Sequence, residues 1–63
     1  MKYIYTSPDC PNCETLKNSY RKNNTNFEER SSDRIKNPQD FIDQEALIQA
    51  SLQNMMLPVE IEA

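Results

Sequence analysis

Tyr3-Ile4-Tyr5-Thr6-Ser7-Pro8-Asp9-Cys10-Pro11-Asn12-Cys13 is the stretch on which the fold turns. Its first four residues are aromatic or β-branched, the composition of a short strand. Ser7-Pro8-Asp9 ends that strand, since proline has no N–H for a ladder and serine and aspartate favour turns. From there Cys10, Cys13, Leu16 and Tyr20 recur at spacings of three and four, one face of a helix running to about Lys22. Pro11 suits the first helical position, where a backbone N–H would be unpaired in any case. A cysteine pair therefore sits where a first strand passes into a first helix.

Outward from this stretch, Asn23-Asn24-Thr25-Asn26 is a turn rich in residues that tolerate the left-handed region. Phe27-Glu28-Glu29-Arg30 has one large apolar residue among charges and reads as a second strand suited to a sheet edge. A polar loop through Ser31-Ser32-Asp33 follows. Asn37-Pro38 forms an N-cap and N1 pair, with Asp40 in the first turn, and predicts a second helix running to about Gln53-Asn54. Phe41, Ile48, Leu52 and Met55 form its expected inward stripe, flanked by Ile42 and Ala46. Asn54 suits a left-handed terminator. After Leu57-Pro58, Val59-Glu60-Ile61-Glu62 alternates apolar and acidic residues as a half-buried strand does. The order is β-α-β-α-β in a single α/β domain over residues 1–63, without internal repeats.

Composition narrows the chemistry. The chain has 63 residues, no glycine and no histidine. Glycine-rich phosphate loops, dinucleotide fingerprints and EF-hand turns are thereby excluded, and so are a Ser/His triad and a mixed Cys/His zinc site within one chain. Carboxylate, lysine, hydroxyl and thiol remain. With a net charge of −3 and its seven lysines and arginines scattered from Lys2 to Lys36, the chain lacks a basic face, so no nucleic-acid partner is expected. The apolar start is far too short for a signal-peptide core, and no apolar run approaches a membrane span, so no membrane partner and a cytoplasmic location are expected. In a reducing compartment a lone CxxC points to redox chemistry or metal binding more than to a structural staple.

A thiol at Cys10 faces the unpaired N–H groups and the positive dipole end of the helix, both of which favour thiolate over thiol. Cys10 is the expected nucleophile. Cys13, nearly one turn on and beside Leu16 on the packed face, is placed to attack a mixed disulfide on Cys10 and act as the resolving thiol. Asp9 and Glu14 oppose a thiolate, and Lys17, one turn further along, offsets them in part. Three other readings stay open. A structural disulfide would close too small a loop to constrain the unfolded chain much. A zinc half-site would need a symmetric dimer sharing four cysteines, making the protein a non-catalytic binding or dimerisation module. The thiols could also be incidental small core residues.

The succession of strand, CxxC, helix, strand, helix, proline and strand resembles a glutaredoxin or glutaredoxin-like redoxin of the thioredoxin-fold superfamily. Residues Tyr3 to Cys13 resemble that family's first strand and active-site loop, Phe27 to Arg30 its second strand, and Leu57-Pro58-Val59 the step whose proline is cis and lies against the active-site cysteines. The resemblance implies a thioredoxin-like fold with strand order second-first-third, the third antiparallel, and an enzyme, a thiol-disulfide oxidoreductase. Cys10 and Cys13 would be catalytic; Leu57, Pro58, Pro11 and Asn12 would meet the substrate, Leu57 through its backbone. Protein or low-molecular-weight disulfides would be the substrates, with no tightly bound cofactor, no metal, and glutathione or a thioredoxin reductase as the reductant. Two departures stand out. Asn12 occupies a place where glutaredoxins often have tyrosine, and the resemblance stops at Ala63, before the family's fourth strand, Gly-Gly turn and closing helix. The expectation is a form shortened at its C-terminus. Its third strand would be an open edge, which gives edge pairing or domain swapping into a homodimer a physical motive.

The remaining features have plain readings. Met55 and Met56 are expected to line the core or a cleft, Tyr3, Tyr5 and Tyr20 to pack with their hydroxyls in water, and Glu60 and Glu62 to form a solvated strand face.

Overall fold

The computed structural model describes every residue from Met1 to Ala63. It is a small α/β unit: β1 (Lys2–Thr6), α1 (Pro11–Lys22), β2 (Phe27–Ser31), α2 (Asp33–Lys36), α3 (Phe41–Leu52) and β3 (Val59–Glu62). The three strands form one mixed sheet in the order β2-β1-β3. β1 and β2 run parallel with Lys2 opposite Phe27, and β1 and β3 run antiparallel with Tyr5 opposite Val59. The Leu57–Pro58 peptide bond is cis.

Strand alternation divides the core between two faces. On one, Tyr5 and Val59 pack with Ala46 and Ala50 of α3 and Ile35 of α2, with Tyr3, Ile42, Leu57 and Ile61 around them. On the other, Ile4 is buried together with Cys13 and Tyr20 of α1, and the Tyr20 ring lies 5.3 Å from that of Phe27.

Both long helices end without glycine in the same way. Asn24 adopts φ 55°, and the N–H groups of Thr25 and Asn24 return to the carbonyls of Tyr20 (2.8 Å) and Arg21 (3.2 Å). At the end of α3, Asn54 adopts φ 57°, while Met55 and Asn54 return to Ala50 (2.6 Å) and Ser51 (3.4 Å). These are Schellman closures with asparagine in glycine's usual place.

Four expectations are corrected. The segment expected to be a polar loop contains the short α2. The following helix begins at Phe41, capped by Asp40, whose side chain accepts from the Asp43 N–H at 2.9 Å; Asn37 instead ends α2, its φ −132° and ψ 72° outside the helical region before Pro38. The stripe of Phe41, Ile48, Leu52 and Met55 faces outward, with Phe41 68% and Leu52 76% exposed, and Met56 is exposed as well. The cause is Asp43. It is fully buried, and with Ala46 and Ala50 it forms the side of α3 that meets the sheet. Phe41 lies two residues from Asp43, about 200° around the helix, so burying the acid turns the large apolar residues away. Finally, two of the tyrosine hydroxyls expected in water are engaged by carboxylates: Tyr5 donates to Asp43 at 2.6 Å, and Tyr20 donates to Glu60.

Asp43 is held by donors on four sides. Besides Tyr5, Arg30 (3.0 Å), Arg34 (2.9 Å) and the Gln39 N–H (3.0 Å) donate to its two oxygens. Arg30 also stacks on the Tyr3 ring, 4.8 Å from its centre. Burial alone would raise the Asp43 carboxyl, but these donors outweigh it and hold the group well below the usual carboxylate range. The Tyr5 phenol, buried and tied to a carboxylate, is pushed up to about 12.

Candidate active site

Cys10 and Cys13 are joined as a disulfide with their Cα atoms 5.2 Å apart. Cys10 is the N-cap of α1 in an extended conformation (φ −126°, ψ 96°), and Pro11 follows within the first turn. Its carbonyl already accepts from the N–H groups of Cys13 (3.1 Å) and Glu14 (3.2 Å), and its sulfur accepts from the Cys13 N–H at 3.1 Å. A sulfur thus takes the place usually filled by a serine or aspartate oxygen at a helix start. Cys10 is partly exposed, whereas Cys13 is buried. The two cysteines therefore differ in access from outside, Cys10 being the more open.

Pro11 and Asn12 are exposed on the first turn of α1. Leu57 and Pro58 are half-buried just before β3; Leu57 packs against the core beneath α3, and the Pro58 carbonyl accepts from the Gln53 side chain at 3.0 Å. The covalent bond brings the two cysteines together.

Sequence reasoning missed a second cluster beside this site. Lys17 bridges Glu14 (2.8 Å) and Glu29 (2.9 Å), and the Thr6 hydroxyl donates to Glu29 at 2.7 Å. These residues tie the second turn of α1 to the ends of β1 and β2. Hydrogen bonds to Glu14 and then Glu29 raise the Lys17 ammonium above its ordinary value, and Lys17 followed by Thr6 lowers Glu29. The cluster lines an open groove of about 390 Å³, which also includes Ser7 and Pro8 of the loop that leads to Cys10. The groove lies at the carboxyl ends of two parallel strands, where open α/β sheets commonly bind ligands. Lys17 is legible as an i,i+3 partner of Glu14, but Glu29 and Thr6 join it only through the register of the parallel strands, which no local spacing reveals.

No group of three or more His, Cys, Asp or Glu side chains is placed to hold a metal ion, and no helix is long and apolar enough to cross a membrane. Comparison with family models, curated proteins and solved structures finds no match to this chain.

Proposed function

We propose that this chain is a thiol-disulfide oxidoreductase of glutaredoxin-like type on a thioredoxin-like fold, acting in the cytoplasm by dithiol-disulfide exchange at Cys10-Pro11-Asn12-Cys13. The observation that carries the reading is the Cys10–Cys13 disulfide at the start of α1, with the Cys13 N–H directed at the Cys10 sulfur. In the reduced protein the Cys10 thiolate attacks a substrate disulfide, forming a mixed disulfide and expelling one substrate thiolate. The Cys13 thiolate then attacks the Cys10 sulfur and the second substrate thiolate leaves. Two electrons pass to the substrate, and the disulfide seen here is the oxidised product. Two molecules of glutathione or a thioredoxin reductase return the electrons. Pro11 and Asn12 beside the partly exposed Cys10, and Leu57 and Pro58 before β3, contact the substrate.

Assays of the 63-residue chain coupled to glutathione and to thioredoxin reductase test the reading. Turnover with at least one, lost in Cys10→Ser, is expected. Stoichiometric zinc on the reduced thiols with turnover in neither assay would overturn it in favour of a metal-bridged binding module.

A further inference from the structure

We propose that the free edge of β3 accepts an extended partner strand in which lysine or arginine alternates with apolar residues. The inference is separate from the redox reading and uses neither cysteine.

β3 pairs with β1 on one side only. The Ala63 N–H donates to the Met1 carbonyl at 3.0 Å, which makes Met1 and Ala63 a hydrogen-bonded pair. In an antiparallel ladder such pairs alternate with non-bonded ones, so Ile61 and Val59 also turn their backbone groups towards β1. The outward N–H and C=O groups then belong to Glu60 and Glu62. An edge of this kind is a template for a further strand.

Alongside this edge runs a groove of about 410 Å³, lined by Phe41, Ile42 and Glu45 of α3 and by Ile61 and its β3 neighbours. Helical spacing continues Phe41 and Glu45 into Ile48 and Leu52, the exposed apolar stripe of α3. An added strand would lie against that stripe and cover it.

Charge selects the occupant. Glu60 and Glu62 take part in none of the ion pairs of the protein; one oxygen of Glu60 accepts from the Tyr20 hydroxyl, and its other oxygen and the Glu62 carboxylate have no hydrogen-bonded partner. Lys2 lies opposite Glu62 in register, but its ammonium sits 5.4 Å from the centre of the Tyr20 ring. Residues of an incoming strand that face Glu60 and Glu62 should be basic, and those on the Ile61 side apolar. A second copy of the chain fits less well. The outward backbone of both β3 strands would come from Glu60 and Glu62, so antiparallel self-pairing sets glutamate opposite glutamate in every register, and like charges directly opposite destabilise a sheet.

The test titrates the 63-residue chain with a short peptide of alternating lysine and valine and with its glutamate-valine counterpart, while following backbone amide exchange. Two cross-strand charge pairs predict binding of the lysine peptide about tenfold tighter than the glutamate one. The amides of Glu60 and Glu62 should exchange freely in the unbound protein and become protected on binding. Glu62→Lys should erase the preference. Glu62→Pro, which removes an outward N–H and leaves the β1 ladder intact, should abolish binding with little change in thermal unfolding of the free protein. Equal affinity for the two peptides, unchanged exchange at Glu60 and Glu62, or protection of those amides in the protein alone through self-association would overturn the proposal.

Discussion

The backbone N–H of Cys13 points at the sulfur of Cys10 over 3.1 Å, so the residue proposed to resolve a mixed disulfide also supplies a hydrogen bond to the residue proposed to begin one. On reduction the same donor and the dipole of α1 remain available to a Cys10 thiolate. Its titration should therefore fall below the free-cysteine value of about 8.5. Iodoacetamide labelling of the reduced protein against pH, read by peptide mass, should modify Cys10 first and with a lowered midpoint. Equal labelling of both cysteines at the ordinary midpoint would count against the assignment of roles.

Asp43 should be the most sensitive position outside the cysteine pair. Removing one member of a buried charge network leaves its partners unpaired, at a cost of about 3 to 5 kcal/mol, so Asp43→Ala should leave the chain largely unfolded. The milder Asp43→Asn provides the pH test. The folded-state carboxyl lies below its unfolded value, so its stabilisation is present above about pH 4 and is lost as pH falls through the depressed value. Denaturant unfolding of the native chain should weaken steeply on acidification below about pH 4, and the slope should be shallower in Asp43→Asn. Identical acid limbs in the two proteins would refute the network's role.

Tyr5→Phe removes the hydroxyl that donates to Asp43 and should destabilise by about 1.5 to 3 kcal/mol, the range for a hydrogen bond to a charged group. The Tyr5 phenol is raised to about 12, so its contribution is complete below the unfolded value of about 10 and disappears as pH rises through about 12. Tyrosinate absorbance should show one fewer late-titrating group in the variant. A full complement of late-titrating groups in Tyr5→Phe would sink this assignment.

Met55 adopts φ 60°, in the left-handed region, with a side chain that has no local hydrogen bond to offer there. Met55→Gly should stabilise the chain by about 1 kcal/mol by removing the Cβ clash, read as a higher unfolding midpoint. A lower midpoint would show that the methionine side chain contributes more than its backbone conformation costs.

Where local pattern and packing agreed, the chain was legible. β1, α1 and β3 follow from Tyr3-Ile4-Tyr5-Thr6, the three-four spacing from Cys10 to Tyr20, and the alternation of Val59 to Glu62, and the strand order and cis Pro58 also match the expectation. α3 shows where pattern fails. Its large apolar residues marked one face, but a buried aspartate with partners on β1, β2 and α2 decided the rotation, and two alanines filled the contact. Asp40 and Asp43 stand three apart, as do many capping pairs, and nothing local ties them to Arg30 and Arg34. The Cys10-Cys13 pair was readable from spacing alone, whereas the Thr6, Lys17 and Glu29 cluster required the parallel register.

The central claim is that Cys10 attacks and Cys13 resolves, and trapping tests it most directly. The Cys13→Ser protein, reduced and then exposed to a small aromatic disulfide, should accumulate a one-to-one mixed disulfide on Cys10, whereas Cys10→Ser should trap none under the same conditions. Accumulation on Cys13 in Cys10→Ser, with no adduct on Cys10 in Cys13→Ser, would contradict the account.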